Sequence, residues 1–197
     1  HWWLYYLYAL ERVGRLSHER LIGGHDWYRA GTAELLKHQE RISGAWRGVG
    51  TSEADERIAT SFALRFLAKG RRPTLLAKLQ YGDPGDDKWN RHPQDAANLT
   101  RYVEVRWKKD LTWHVVRSDR ADVDDLLQAP VLYISGSSNL DELMRPEVME
   151  VLREYINRGG FIFAEGCCDP GSPFDASFRT LMTRLFPDNP LQQLGPD

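Results

Sequence analysis

Two cysteines stand side by side, Cys167 and Cys168, and the chain has no others. They follow the apolar run Phe161-Ile162-Phe163-Ala164 and the pair Glu165-Gly166, and Asp169 comes next. An apolar run of that length, punctuated by glycine at each side, reads as a buried strand. A thiol just past the carboxyl end of such a strand can be exposed, and nearby backbone amides can lower its pKa, which makes a nucleophile. Cys167 is therefore a candidate catalytic residue, with Glu165 as the carboxylate that could assist it. Other chemistry uses the same residue types. A reduced cysteine often packs as a small hydrophobe, and a vicinal thiol pair suits soft metals or redox work. A disulfide between neighbours is disfavoured, because the bridge wants a longer Cα separation than one peptide link gives.

A nucleophilic cysteine also needs a base. His92 and His114 are the only histidines after residue 73, and neither shares a local motif with Cys167. His92 lies near Asp86, Asp87 and Asp95, a set of metal-ligand types, but its His-Pro step reads as a turn and charged loops are usually solvated. No metal and no cofactor is expected. The motif Asp122-Val123-Asp124-Asp125 reads as an acidic helix start, where carboxylates complement the helix dipole.

If the strands are parallel, their carboxyl ends share one edge, and ligands of open α/β sheets gather there. Tyr81 and Gly82 lead from one strand to Trp89 and Asn90. Gly136, Ser137, Ser138 and Asn139 follow a second, and Glu165, Gly166, Cys167, Cys168 and Asp169 belong to a third. The expected ligand-binding set is Tyr81, Gly82, Trp89, Asn90, Gly136, Ser137, Gly166, Cys168, Asp169 and Arg179, in one pocket. Trp89 could stack on a ligand or pin its own loop to the core. Arg179 could hold an anion, or it could pair with Asp175 or Glu165.

These loops need elements to place them. Up to residue 72 the apolar spacing is helical. Leu4, Leu7, Tyr8, Leu10 and Val13 form a stripe closed by Gly14. Asp26 caps a second helix that carries Trp27, Tyr28, Ala30, Ala33, Leu35 and Leu36 to Gln39. A third, from Glu53 to Ala68, carries Ile58, Ala59, Phe62, Ala63, Phe66 and Leu67 and ends at Gly70. After Pro73 the periodicity changes. Strands are expected at Thr74–Tyr81, Thr112–Arg117, Val131–Ser135 and Phe161–Ala164. Helices are expected at Asp95–Lys108, Val123–Leu127, Pro146–Asn157 and Asp175–Phe186. Such alternation argues an α/β fold with a parallel sheet covered on both faces.

The 197 residues carry a formal charge of -2. That balance gives no basic stripe for a nucleic acid and no attraction to a membrane surface. No apolar run approaches the ~18 residues needed to span a bilayer. The aromatic opening, His1 to Leu10, lacks a basic leader and a cleavage site, so it reads as a core helix. The two ends read as cuts in a longer protein, whose adjoining domains are possible partners beside a small ligand. The compartment is left open.

Gln39, four residues before Gly44-Ala45-Trp46 and preceded by Leu35-Leu36-Lys37, resembles the Gln-Trp repeat of the squalene-cyclase and prenyltransferase α/α toroids. Thr60-Ser61-Phe62-Ala63-Leu64 resembles the inner helix after such a repeat. The resemblance covers residues 1–70 and implies a partial toroid (architecture without cyclase or transferase activity). A stack of so few repeats buries its faces poorly by itself.

The second half resembles a bacterial family known as domain of unknown function 4159. The residues that carry this are Leu79-Gln80-Tyr81-Gly82 with Lys88-Trp89-Asn90, then Val131-Leu132-Tyr133-Ile134-Ser135-Gly136. Gly159-Gly160 through Cys167-Cys168 and Phe174-Asp175-Ala176-Ser177-Phe178-Arg179 follow, with Phe186-Pro187-Asp188. The loop Asp83-Pro84-Gly85-Asp86-Asp87 is longer and more acidic than the family's usual turn. The resemblance implies a flavodoxin-like domain, similar to class I glutamine amidotransferases, over residues 73–197. It implies no reaction. Two functions are consistent with this: a ligand- or protein-binding module, or a cysteine-dependent amidase or amidotransferase-like enzyme built on Cys167.

Overall fold

The computed structural model describes residues 2–19, 21–68, 72–83, 85–167 and 171–195. The chain divides into two compact units, His1–Pro73 and Thr74–Asp197.

The first unit contains α1 (Trp3–Ser17), a hairpin of β1 (Leu21–Ile22) and β2 (His25–Asp26), α2 (Trp27–Lys37) and α3 (Glu56–Leu67). Its core joins Leu4 and Leu7 to Trp27, Leu35, Trp46, Ala59, Ala63 and Phe66. Asp26 caps α2 by accepting the Arg29 N–H at 2.8 Å, and Asp55 caps α3 through the Arg57 N–H at 2.9 Å. Each supplies an acceptor to an otherwise unbonded first-turn donor. At the start of α1, the buried Glu53 carboxylate accepts the Tyr5 N–H at 2.7 Å. The Gln39 side chain donates to the Gly44 carbonyl at 2.7 Å, and the buried Trp46 indole donates to the Leu35 carbonyl at 2.7 Å. These bonds close the end of α2 and fix the turn that follows it.

Two expectations for α1 need correction. Gly14 does not end the helix, which runs on to Ser17, and Val13 is exposed. The buried stripe is Leu4, Leu7, Glu11 and Gly14. A Cβ at Gly14 would stand 2.2 Å from the Trp27 ring, so glycine is there for close approach and not for termination. Leu36, Ala30 and Ala33 of α2 are likewise exposed. The hairpin went unanticipated, although Gly23-Gly24 between Ile22 and His25 is a two-residue turn signal.

The second unit is α/β. Its strands are β3 (Thr74–Gln80), β4 (Thr112–Arg117), β5 (Val131–Gly136) and β6 (Phe161–Gly166), and its helices are α4 (Asp95–Trp107), α5 (Val123–Leu126), α6 (Pro146–Asn157) and α7 (Pro173–Leu185). All pairings in the sheet are parallel, in the order β4-β3-β5-β6. One face buries Ala77, Leu79, Leu132 and Ile134 against Leu126 of α5, Leu152 and Tyr155 of α6, and Leu181 and Leu185 of α7. The other buries Leu76 and Tyr133 against Ala96 of α4. Asp122 and Asp125 form a reciprocal capping box at the start of α5, with Asp122 accepting the Asp125 N–H at 2.8 Å. The acidic motif is a helix start.

The expectation that β6 is a buried strand is also corrected, although helices do cover the inner strands on both faces. Phe161 and Phe163 are exposed, while Ile162 and Ala164 are partly buried on the α6–α7 side. β6 is the outermost strand, and among the described residues α4 is the only helix packed on its exposed side of the sheet. A period of two replaces the continuous burial that the apolar run suggested.

The Gly14 contact yields a stability test. Gly14→Ala should raise helix propensity yet destabilise the chain by about 1–3 kcal/mol, because the methyl group overpacks against Trp27. Chemical denaturation monitored by circular dichroism measures this; a neutral or stabilising effect would show that the two helical segments are not packed this tightly.

Candidate site at the carboxyl edge of the sheet

The polar centre of this edge is a lysine inside a strand. Lys78 interrupts the apolar sequence Leu75-Leu76-Ala77-Lys78-Leu79, and its side chain is 1% exposed. An ammonium so buried must be paired. Its Nζ donates to Asp95 Oδ1 at 2.6 Å, to Asn90 Oδ1 at 2.8 Å and to the His92 carbonyl at 3.3 Å. Asp95 stands in the first turn of α4, and its other oxygen accepts the Ser135 hydroxyl of β5 at 3.1 Å. The Lys78 Nζ also lies 5.5 Å from the Trp89 ring centroid and 5.8 Å from that of Tyr133. One ammonium thus ties β3, β5, α4 and the 3-10 turn Lys88–Asn90 together.

Strand order then places the loops. The chain leaves β3 for β4 on one side and crosses back to β5 on the other, so the connections diverge between the carboxyl ends of β3 and β5. Such a divergence opens a crevice in α/β sheets. Here Tyr81 occupies that position: it is buried, and its hydroxyl donates to the Ser135 carbonyl at 3.0 Å. Burial pushes the Tyr81 phenol up to about 12; the Ser138 hydroxyl pulls the other way, and the Cys167 thiol and Asp86 add to the rise. Tyr81, Ser138, Asp86 and Cys167 are therefore electrostatic neighbours. Gly136 has φ +150°, and a Cβ there would lie 2.2 Å from the Tyr81 hydroxyl and 2.5 Å from the Lys88 carbonyl. Only glycine lets the Lys88–Asn90 turn and Tyr81 close over the end of β5. The Cys167 N–H donates to the Gly136 carbonyl at 2.9 Å, which extends the β5–β6 pairing one residue into the loop.

Across the edge, Glu142 closes the ends of β3 and β4. It accepts the Gly82 N–H, the Ser118 hydroxyl at 2.8 Å and the Arg145 guanidinium at 3.3 Å. Sequence reasoning missed both Glu142 and Lys78. The signal for Lys78 was a lone charge in an apolar strand. That for Glu142 was an acidic residue just past the loop that follows β5.

Tyr81, Gly136 and Cys167 of the expected set come together, with Ser138 beside them. Trp89 and Asn90 lie in the turn held by Lys78, and Trp89 packs partly on the core, which is the loop-pinning role. Glu165 is engaged elsewhere, accepting the Tyr133 hydroxyl at 2.6 Å. Burial first, and then this carboxylate, raise the Tyr133 phenol far above its ordinary value. Gly82 and Gly166 are exposed at the strand ends, and Ser137 is partly buried beside Ser138. Arg179 pairs with Asp175 one turn away on α7, at 3.0 Å on an exposed surface. Cys168 and Asp169 lie outside the described residues. His114 sits on β4, and β3 and β5 separate it from β6. Three strand spacings of about 4.8 Å put its backbone roughly 14 Å from the β6 end of the sheet. Among the described residues no group of three or more His, Cys, Asp and Glu side chains could hold a metal ion, and no helix is long and apolar enough to cross a membrane.

The fold defines an α/β protein with a four-stranded parallel sheet, at whose carboxyl edge Tyr81, Ser138 and Cys167 lie near one another. The profile of the family described as Domain of unknown function (DUF4159) matches residues 75–197. The chain belongs to that family. No curated protein matches it.

The buried pair generates a prediction. Lys78→Ala leaves Asp95 charged without its ammonium and should cost about 3–5 kcal/mol. Lys78→Met combined with Asp95→Asn should recover part of that loss, and a denaturation double-mutant cycle measures the coupling. Additive single effects would mean that the two groups do not act as a pair.

Proposed function

We propose that the α/β unit is a flavodoxin-like binding module whose ligand enters at the carboxyl edge, at the divergence between β3 and β5. The observation that carries this is the gathering of Tyr81, Ser138 and Cys167 at that one position, where open α/β sheets bind ligands. The strand order, second-first-third-fourth within the unit, is that of the first four strands of flavodoxin-like sheets. The Gln39 and Trp46 bonds at the end of α2 are consistent with a toroid-type repeat in the helical unit.

Isothermal titration of the chain with adenosine monophosphate, glucose and trialanine samples the nucleotide, sugar and peptide classes. The expected result is millimolar or tighter affinity for one class, lost at least tenfold in Ser138→Trp, whose ring would fill the crevice. Binding by none of the three, or binding indifferent to Ser138→Trp, would overturn the reading.

The alternative, a cysteine-dependent amidase or amidotransferase-like enzyme, draws on the same thiol, which lies in the candidate crevice beside a tyrosine. It is the weaker reading, because Cys167 is buried, Glu165 is bonded to Tyr133 and His114 is strands away. Iodoacetamide labelling resolved by peptide mass spectrometry separates the two. A packed thiol should react slowly until the chain unfolds. Rapid labelling of Cys167 well below the ordinary thiol pKa of about 8.5 would favour the enzyme.

A further inference from the structure

At the far end of α4 from Asp95, the helix presents a surface unlike the rest of the unit. Arg101, Tyr102, Val105 and Arg106 are all exposed, and Lys108 and Lys109 follow at the helix end. Tyr102 is 55% exposed, Val105 71% and Trp107 60%. Residues 101, 102, 105 and 106 fall on one side of two successive turns. The Arg106 guanidinium lies 4.5 Å from the Tyr102 ring centroid, which holds its fork in one plane.

Most other surface cations of the unit are paired, and the exceptions Arg153 and Arg184 lie on separate helices rather than together on one helix face with exposed rings. Arg117 pairs with Asp119, Arg145 with Glu142, Arg158 with Glu154 and Asp124, and Arg179 with Asp175. Among the described residues, Arg101, Arg106, Lys108 and Lys109 have no carboxylate within ion-pair distance. The nearest helix carboxylate, Glu104, is committed to the Leu111 N–H at 2.9 Å. Complementing the helix dipole accounts for Lys108 and Lys109, but the dipole's effect fades within the last turn. It does not account for Arg101, Tyr102 and Val105. Arginine, tyrosine and tryptophan are the side chains that dominate protein interfaces, where carboxylates meet the guanidinium fork in bidentate fashion.

We propose that this face of α4 docks an acidic protein segment, with carboxylates meeting Arg101, Arg106 and Lys108 around an apolar side chain seated on Tyr102 and Val105. Charge complementarity sets the partner's sign. The chain's net charge of -2 disfavours long polyanions and anionic bilayers, which feel the whole molecule's field, and favours a short ligand that feels only the local patch. The surface is separate from the crevice, because Glu104 binds the residue that leads into the amino end of β4.

The test uses the full chain and a fluorescein-labelled peptide of four Glu-Glu-Leu-Phe repeats, read by anisotropy at low and high salt. The expected result is saturable binding that weakens with salt and falls at least tenfold in Arg101→Glu/Arg106→Glu. Lys108→Ala/Lys109→Ala, which leaves the helix interior untouched, should weaken it severalfold, and Tyr102→Ala should do the same at unchanged salt dependence. Lys37→Glu, far along the sequence on α2, should leave it intact. No binding at millimolar peptide would overturn the proposal, as would equal affinity in all variants. So would stronger binding of the wild-type chain to phosphatidylserine vesicles or to a duplex oligonucleotide than to the peptide.

Discussion

The lysine ammonium buried in an inner strand of a parallel sheet constrains the loops around the carboxyl edge. Desolvating that charge is costly unless several acceptors converge on it, and three do: Asp95, Asn90 and the His92 carbonyl. Each comes from a different part of the connection between β3 and β4. The loop is thereby held against the sheet by one atom. The aspartate is held in turn by Ser135, so the third strand of the unit joins the same network. Remove the ammonium, and the 3-10 turn loses the bond that positions Trp89 and Asn90, while α4 loses the anchor of its first turn.

That network also decides which side chains remain at the carboxyl edge between β3 and β5. Because the Lys88–Asn90 turn is drawn in, its Lys88 carbonyl stands over Gly136, and Tyr81 fills the space between β3 and β5. Residues that sequence order alone would offer to a ligand are used by the protein itself. Asn90 solvates a lysine, Glu165 takes a tyrosine hydroxyl, Glu142 takes the Gly82 amide and Arg179 takes Asp175. Near Tyr81, whose phenol pKa is raised by burial, stand the Ser138 hydroxyl and the Cys167 thiol. So raised, the phenol is not poised to exchange protons near neutral pH.

The sequence was legible wherever one period dominated. Strand and helix alternation after Pro73 placed each strand of the sheet within a residue or two, Asp26 announced its cap by type and position, and the acidic run 122–125 announced a helix start. It was illegible where a residue's meaning depends on a distant neighbour. Gly14 looks like a stop until Trp27 is found lying against it. Phe161 and Phe163 look like core until β6 proves to be the outer strand. Lys78 looks like an ordinary charge until the strand around it is known to be buried from both sides. The edge itself could be inferred from strand direction, but which of its side chains would be consumed in holding the loops could not.

α4 shows how one element divides the labour of the unit. Its first turn carries a carboxylate that is almost wholly engaged inward, with Lys78 and Ser135. Its last turns carry cations and rings turned outward, with no inward partner to satisfy them. α6 and α7 each pair one surface arginine with a carboxylate one turn away, Arg158 with Glu154 and Arg179 with Asp175. On α4 the glutamate that could have done so is spent on the Leu111 amide, which leaves the adjacent arginines available. The same economy that makes the carboxyl edge rigid therefore makes the opposite end of the helix charged, aromatic and open. An acidic partner there would touch the unit at a point connected, through a single helix, to the Asp95 carboxylate that Lys78 and Ser135 hold.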